Sequence, residues 1–305
     1  MYPGMICRVF YFDIMGIHDN HIHIILDGKN YKKSIARHEN GVDEDYIRRV
    51  FEGYKLRGVK YLRDGGDNMG VSIRAKAIAP EYGISYLSPD FAIHKEGYYG
   101  DILGKSFRSE ESLENLISEI KDSGADFVKF MASGIMDFSD FGRFEGGMLT
   151  AEEIKKYMKI ITSSGLPVMV HVNSAESVRA AVEAGAGSIE HGFFTDKDTL
   201  HVLRDYDCVW VPTVCAVGNL VNNPDMRGAS REVLESIVKM QIRNVEYAMN
   251  IGCKIALGTD AGSYGVTHEE GIINEENFLM ECSWDYESIV DAGNKYLWKR
   301  FGGNL

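Results

Sequence analysis

The chain has 305 residues, 45% of them apolar and 26% charged, enough to bury the core of a soluble globular domain. Its formal charge of −12 argues against nucleic acid or an anionic membrane as the main partner. No apolar run approaches a membrane span, and the start lacks the basic-then-apolar pattern of a secretory leader.

Strand-like and helix-like segments alternate along the chain. A first strand is expected to reach Ile17, just before His21. Further apolar or β-branched runs occur at Val59–Leu62, Ile84–Leu87, Phe127–Met131, Pro167–Val172, Ser188–Glu190, Val209–Pro212 and Lys254–Leu257. Helical patterns lie between them at Asp43–Leu56, Glu110–Ser123, Thr150–Ser163, Ala175–Ala184 and Arg231–Asn250. Ser109 and Thr150 suit N-caps, and Gly58, Gly83, Gly124, Gly165 and Gly252 suit helix ends. Eight strands alternating with helices predict a parallel α/β sheet, with a closed (β/α)8 barrel favoured over an open doubly wound sheet. No Gly-x-Gly-x-x-Gly follows the first strand, which weakens the open alternative. Residues 1–305 are read as one domain. Long irregular segments are expected at Ile93–Arg108, Ile135–Met148, Val214–Ser230 and Ala261–Glu270, on the face where such barrels carry their chemistry.

The five cysteines, Cys7, Cys208, Cys215, Cys253 and Cys282, form no close pair and read as free thiols, as a reducing cytoplasm would allow.

Six residues sit at or near strand ends: His21, His23, Lys129, His171, His191 and Asp260. Imidazole and carboxylate are preferred zinc donors. His21 and His23, two apart on a strand, would face the same side, and Asp19 could orient one of them. Lys129 lies within an apolar strand, where an ammonium is costly to bury. It either snorkels to the strand end or, as a neutral amine, takes up CO2 to become an anionic carbamate able to bridge two metals. His171 and His191, one β/α unit apart, would stand on adjacent strands. Asp260 either caps a helix or binds metal and moves protons.

Gly16-Ile-His-Asp19-Asn-His21-Ile-His23 resembles the G-[LI]-x-D-x-H-x-H pattern of the amidohydrolase superfamily. Val59-Lys-Tyr-Leu-Arg63-Asp64-Gly-Gly66, Ala181 to Gly192, Trp210-Val-Pro-Thr213 and Gly258-Thr-Asp260-Ala-Gly262 resemble its strand 2, 6, 7 and 8 segments. Within that superfamily the chain is similar to imidazolonepropionase-like enzymes that include Xaa-Pro and Xaa-Arg dipeptidases. The resemblance implies a distorted (β/α)8 barrel, here expected to lack most or all of the usual accessory β-sandwich. It further implies two divalent ions, zinc first and manganese or iron next. His21, His23 and Asp260 would hold the more buried ion and His171 and His191 the outer one, with carbamylated Lys129 as bridge.

Two motifs depart from the pattern. Gly97-Tyr98-Tyr99-Gly100-Asp101 replaces a G-G-H-G-D segment, and His171-Val172-Asn173 replaces H-x-H. Arg63, Tyr98, Tyr99, Ser133, Asn173 and His268 are expected substrate contacts, Arg63 and His268 for a carboxylate.

The expected function is hydrolysis of an amide-type C–N bond in a dipeptide, N-acyl amino acid or cyclic amide by a hydroxide between the two metals, with Asp260 moving the proton. The alternatives are a one-metal deaminase or lactone and cyclic-amide hydrolase, and a non-catalytic metal-binding barrel. The expected partner is a small molecule in the cytoplasm, with assembly of identical chains left open.

Overall fold

A computed structural model describes residues 16–223 and 228–303. Cys7 lies outside the described residues. The strands are β1 (Ile17–Ile22), β2 (Val59–Asp64), β3 (Ser85–Leu87), β4 (Ala92–Lys95), β5 (Gly104–Phe107), β6 (Val128–Met131), β7 (Ser133–Met136), β8 (Phe144–Met148), β9 (Val168–Ser174), β10 (Ser188–Phe194), β11 (Val209–Val211) and β12 (Lys254–Ile255). The helices are α1 (Tyr31–Arg37), α2 (Glu44–Leu56), α3 (Val71–Ile78), α4 (Glu110–Asp122), α5 (Ala151–Thr162), α6 (Ala175–Glu183), α7 (Lys197–Asp205), α8 (Cys215–Gly218), α9 (Arg231–Asn250), α10 (Gly271–Cys282) and α11 (Tyr286–Arg300).

The predicted helices form where an apolar stripe coincides with a cap. Ser109 and Thr150 each accept from the N3 amide while that residue's side chain returns to the cap, closing capping boxes before α4 and α5. Leu113, Ile117 and Ile120 of α4, and Ile154, Met158 and Ile161 of α5, are then buried.

Parallel pairing runs β1-β2-β3 in one ladder and β12-β11-β10-β9-β6-β4-β5 in another. One continuous barrel ladder was expected; hydrogen bonds outside the ladders join the two sheets instead. Asp126 N donates to Ser88 O at 2.8 Å on one side. On the other, Asn20 N donates to Leu257 O at 2.9 Å and Asp260 N to His21 O at 2.7 Å. Asp19 strengthens this second seam: its two oxygens accept from Thr259 N at 2.9 Å and Thr259 Oγ1 at 2.7 Å. Asp19 therefore fixes the loop carrying Asp260 and orients no histidine ring, contrary to expectation.

Several boundaries differ from the sequence reading. β1 begins at Ile17 and contains His21. The segment Ile93–Arg108 holds most of β4 and all of β5, because Pro89 and a turn split the third strand position into β3 and β4. Ile135–Met148 is largely the β7–β8 hairpin, the one antiparallel pair among the described residues. Val214–Ser230 contains α8, whereas Ala261–Glu270 forms no helix or extended strand.

Leu87, Phe127, Met169, Val209, Val211 and Ala256 pack with Leu297, Trp298 and Phe301, from α11 and its end, into a buried cluster. The donor-bearing residues follow these apolar positions toward the C-terminal ends of the strands, where side chains of parallel-strand proteins meet solvent. Among the described residues, no helix is long and apolar enough to cross a membrane. Cys208, Cys215, Cys253 and Cys282 are buried free thiols.

Candidate metal centre

His21 sits inside β1 and His23 one residue beyond it, while Asp260 is held against β1 by the seam described above. One donor atom from each of the three lies within 4.8 Å of the others. His23 Nε2 is 3.3 Å and His21 Nε2 3.5 Å from the same Asp260 oxygen. Lys129 Nζ, from β6, is 3.5 Å from His21 Nε2 and almost fully buried.

The tautomers follow from the other ring nitrogens. His21 Nδ1 stands 2.8 Å from Glu190 Oε2, so the proton belongs on that side and the Nε2 lone pair faces Asp260. Burial holds the His21 imidazole down to about 3, reinforced by Lys129 and only partly opposed by Glu190. Burial would raise the Asp260 carboxyl, but the His23 hydrogen bond and the neighbouring imidazoles outweigh it and keep it ionised. A ring nitrogen and a carboxylate oxygen at such distances need a proton or a cation between them, and a divalent ion at this point would satisfy all three donors at once. The donor set therefore fits a zinc-like ion.

His191, on β10, is 2.7 Å through Nδ1 from Thr213 Oγ1, which leaves Nε2 for the mouth. Burial lowers its imidazole to about 3. His171, on β9, reaches Gly134 O through Nε2 at 3.3 Å, and the rings of His171 and His191 pack with centroids 4.6 Å apart. His21 and His191 are 4.9 Å apart by the same measure. The four imidazoles, Lys129 and Asp260 thus gather as expected, with His21 central.

His191, Thr213 and Asp260 have φ of +67°, +45° and +60°, a region that costs a non-glycine residue roughly 1–2 kcal/mol. The strain is held by specific bonds. Trp210 Nε1 and Gln241 Nε2 both donate to His191 O, at 2.9 and 2.7 Å. Glu275 accepts from Val214 N and Cys215 N at 3.0 and 2.7 Å, fixing the chain just after Thr213.

Glu190 is the functional side chain that the sequence reading missed. It is fully buried between His21 and Arg63, whose Nη2 donates to it at 2.8 Å. Burial would raise this carboxyl; the Arg63 guanidinium and His21 hold it well below the usual range. An acid inside the strand Ser188–Glu190, on the face opposite Ile189, was the available signal.

The expected substrate contacts divide. Arg63 is sealed beneath His21, donating through Nε to Asn20 O, through Nη1 to Ser188 Oγ and through Nη2 to Glu190. His268 spends both nitrogens, on Leu26 O at 2.9 Å and Tyr54 Oη at 3.0 Å. Arg63 is fully buried with all three of its nitrogens already donating, and both His268 nitrogens are engaged, so each serves buried backbone and side chains rather than the rim. Tyr99 packs its ring on His171, centroids 5.7 Å apart, and donates its N–H to Gly146 O. Tyr98 rests against the hairpin at Gly147, where a Cβ would come within 2.7 Å of its ring. Ser133 Oγ donates to Gly134 O at 3.1 Å, and Asn173 lies beside His171.

Residues 14–292 match the sequence pattern of the amidohydrolase family. The chain belongs to that family. Ochratoxinase of Aspergillus niger is 27% identical over 147 residues, 47% of this chain but 30% of that protein's length. The chain's match thus spans under a third of this curated relative. An uncharacterised protein of Mycobacterium bovis is 29% identical over 117 residues, 37% of this chain and 31% of its own. Among solved structures, a Xaa-Pro dipeptidase with methionine bound in its active site aligns with a TM-score of 0.75 at 20% identity, covering 94% of this chain and 75% of the other. The structure of A. niger ochratoxinase aligns with a TM-score of 0.74 at 20% identity, covering 94% and 71%. Structures this alike establish a shared TIM-like architecture.

Proposed function

We propose that the protein is a metal-dependent hydrolase of an amide-type C–N bond in a small molecule: a dipeptide, an N-acyl amino acid or a cyclic amide. The observation that carries this reading is the meeting of His21 Nε2, His23 Nε2 and Asp260 Oδ1 beside buried Lys129. The names of its structural relatives, a dipeptidase and ochratoxinase, are consistent with it.

In this reading His21, His23 and Asp260 would hold one divalent ion, zinc before manganese or iron. His171 and His191 would be the donors for a second, and Lys129, once carbamylated, would supply an anionic oxygen ligand beside them. Bound ions of this kind lower the pKa of water from about 15.7 to roughly 7 and polarise a scissile carbonyl. Burial lowers the Lys129 ammonium to about 8, leaving an appreciable neutral fraction to add CO2 and release a proton. Glu190, fixed by Arg63, keeps His21 in the tautomer whose Nε2 is free. Thr213 engages His191 Nδ1 and so turns Nε2 toward the mouth. Asp260, partly open to the mouth, accepts a proton from the attacking water and delivers it to the leaving nitrogen. Water oxygen bonds to the carbonyl carbon, the C–N bond breaks, and a carboxylic acid and an amine result. Closure of the sheet into a (β/α)8 barrel belongs to the same proposal.

A one-metal deaminase or lactonase is the second reading. It is favoured by the tight three-donor group, which does not include His171 or His191. Metal analysis of the purified protein, with turnover of dipeptide, N-acyl amino acid, lactone and aminoheterocycle panels under added zinc or manganese, separates the readings. Two ions with amide cleavage support the first. One ion with ammonia release supports the second. Failure to bind metal overturns both.

A further inference from the structure

Asn173 carries an unpaired polar atom on the strand that bears His171. It follows His171 by two residues within β9, so the two side chains project to the same face, and both reach one acceptor, Gly134 O. The Asn173 contact is long, 3.5 Å, and sets the Nδ2 donor, rather than the amide oxygen, toward that carbonyl. Asn173 Oδ1 is then left buried with no hydrogen-bond partner among the described residues, on a side chain only 2% exposed. Leaving such an acceptor unpaired is costly. Buried groups of this kind call for a ligand or a function.

We infer that Asn173 Oδ1 accepts the N–H of the substrate's scissile amide, so that the enzyme selects secondary amides and rejects tertiary ones such as Xaa-Pro bonds. The inference rests on the proposed amide hydrolysis and sharpens it to a substrate class. The neighbours of Asn173 suit the role. His171 flanks it on the strand, the Tyr99 ring packs on His171, and Gly134 holds the Nδ2 end away. An amide whose carbonyl is engaged at the imidazole cluster would present its nitrogen within the same small mouth. A site built to bond an N–H discriminates strongly against an analogue lacking it, since the protein's acceptor is again left unpaired.

The test compares dipeptides and N-acetyl amino acids with their N-methylated counterparts on the zinc-loaded protein, by hydrolysis and by calorimetric binding. The N–H member is expected to be preferred by about tenfold or more, the ratio set by roughly 1.4 kcal/mol. Asn173→Leu, which keeps the volume and removes the acceptor, brings the two members to near parity. Asn173→Asp, which keeps an acceptor, retains the preference. Equal handling of both members by the unsubstituted protein, or binding of neither, overturns the inference whatever the variants do. Preferential binding of the N–H member without hydrolysis upholds it and defeats the hydrolase reading instead.

Discussion

His21 Nδ1 and Glu190 Oε2 stand 2.8 Å apart in the fully buried interior, and Glu190 is bound from its other oxygen by Arg63. The three residues form a line from an inward guanidinium to an imidazole that faces the site. Glu190→Gln keeps the shape and removes the charge that fixes the His21 tautomer. Zinc affinity is expected to fall about 10–100-fold, the usual cost of losing an outer partner of a ligand histidine. Competition with a metallochromic chelator measures it, and unchanged affinity would show that His21 needs no such support.

Arg63→Met leaves Glu190 as an unpaired buried charge. The guanidinium also lies over the Phe301 ring, 4.6 Å from its centroid, so packing is lost with the pair. Breaking a buried pair in this way costs about 3–5 kcal/mol. The expectation is a loss of that order in urea unfolding, with much of it recovered when Glu190→Leu is added, because the second change removes the stranded charge.

What was legible in the sequence followed from local chemistry. Runs such as Phe127–Met131 and Ser188–Glu190 became strands because β-branched and apolar residues were bounded by turn residues, and α9 matches its expected span residue for residue. The donors that gather were recognisable because each closes or follows such a run. Arg63 and Glu190 were not paired in advance, since 127 positions separate them and nothing local links an arginine on one strand to an acid on another. Arg63 and His268 were expected to meet a substrate carboxylate because a guanidinium and an imidazole can bind one. The fold buried them by supplying a partner for each of their nitrogens. The strands β4 and β5 and the glycine-rich β8 were missed because they are short and gain their stability from neighbours.

Gly65 provides a steric test of His23. A Cβ at this position would stand 2.2 Å from His23 Cε1, and Gly65 N donates to Ile22 O at 2.8 Å, so the backbone has little room to retreat. Gly65→Ala should displace the imidazole and abolish tight metal binding while circular dichroism shows the secondary structure retained. Crystals of the variant with His23 unmoved and zinc bound would contradict the packing.

Lys129→Ala tests the carbamate. Removing the amine eliminates the proposed bridge, so metal content is expected to fall from two ions per chain to one or none by atomic absorption. Acetate or propionate, entering the space left by a nearly fully buried side chain, should restore part of it. Two tightly held ions in the alanine variant would instead place Lys129 outside the ligand set.

His18 sets a pH dependence of stability away from the metal ligands. Its ring stacks on Tyr61 with centroids 4.2 Å apart and meets the Trp298 edge, and its Nδ1 has no hydrogen-bond partner among the described residues. Burial lowers the imidazole from 6.5 to about 4, with Asp291 opposing. Because the folded value is the lower one, the unfolded chain takes up a proton that the folded state refuses as pH drops below 6.5. The contribution is therefore fully present above pH 6.5, declines from there toward pH 4, and amounts to about 2 kcal/mol of lost stability by pH 5. His18→Phe keeps the stacked ring and removes the titration. Urea midpoints at pH 8 and pH 5 should show the parent losing about 2 kcal/mol more than the variant between the two conditions. Parallel losses would mean that His18 is protonated within the fold, and that Asp291 outweighs the apolar surroundings of Tyr61 and Trp298.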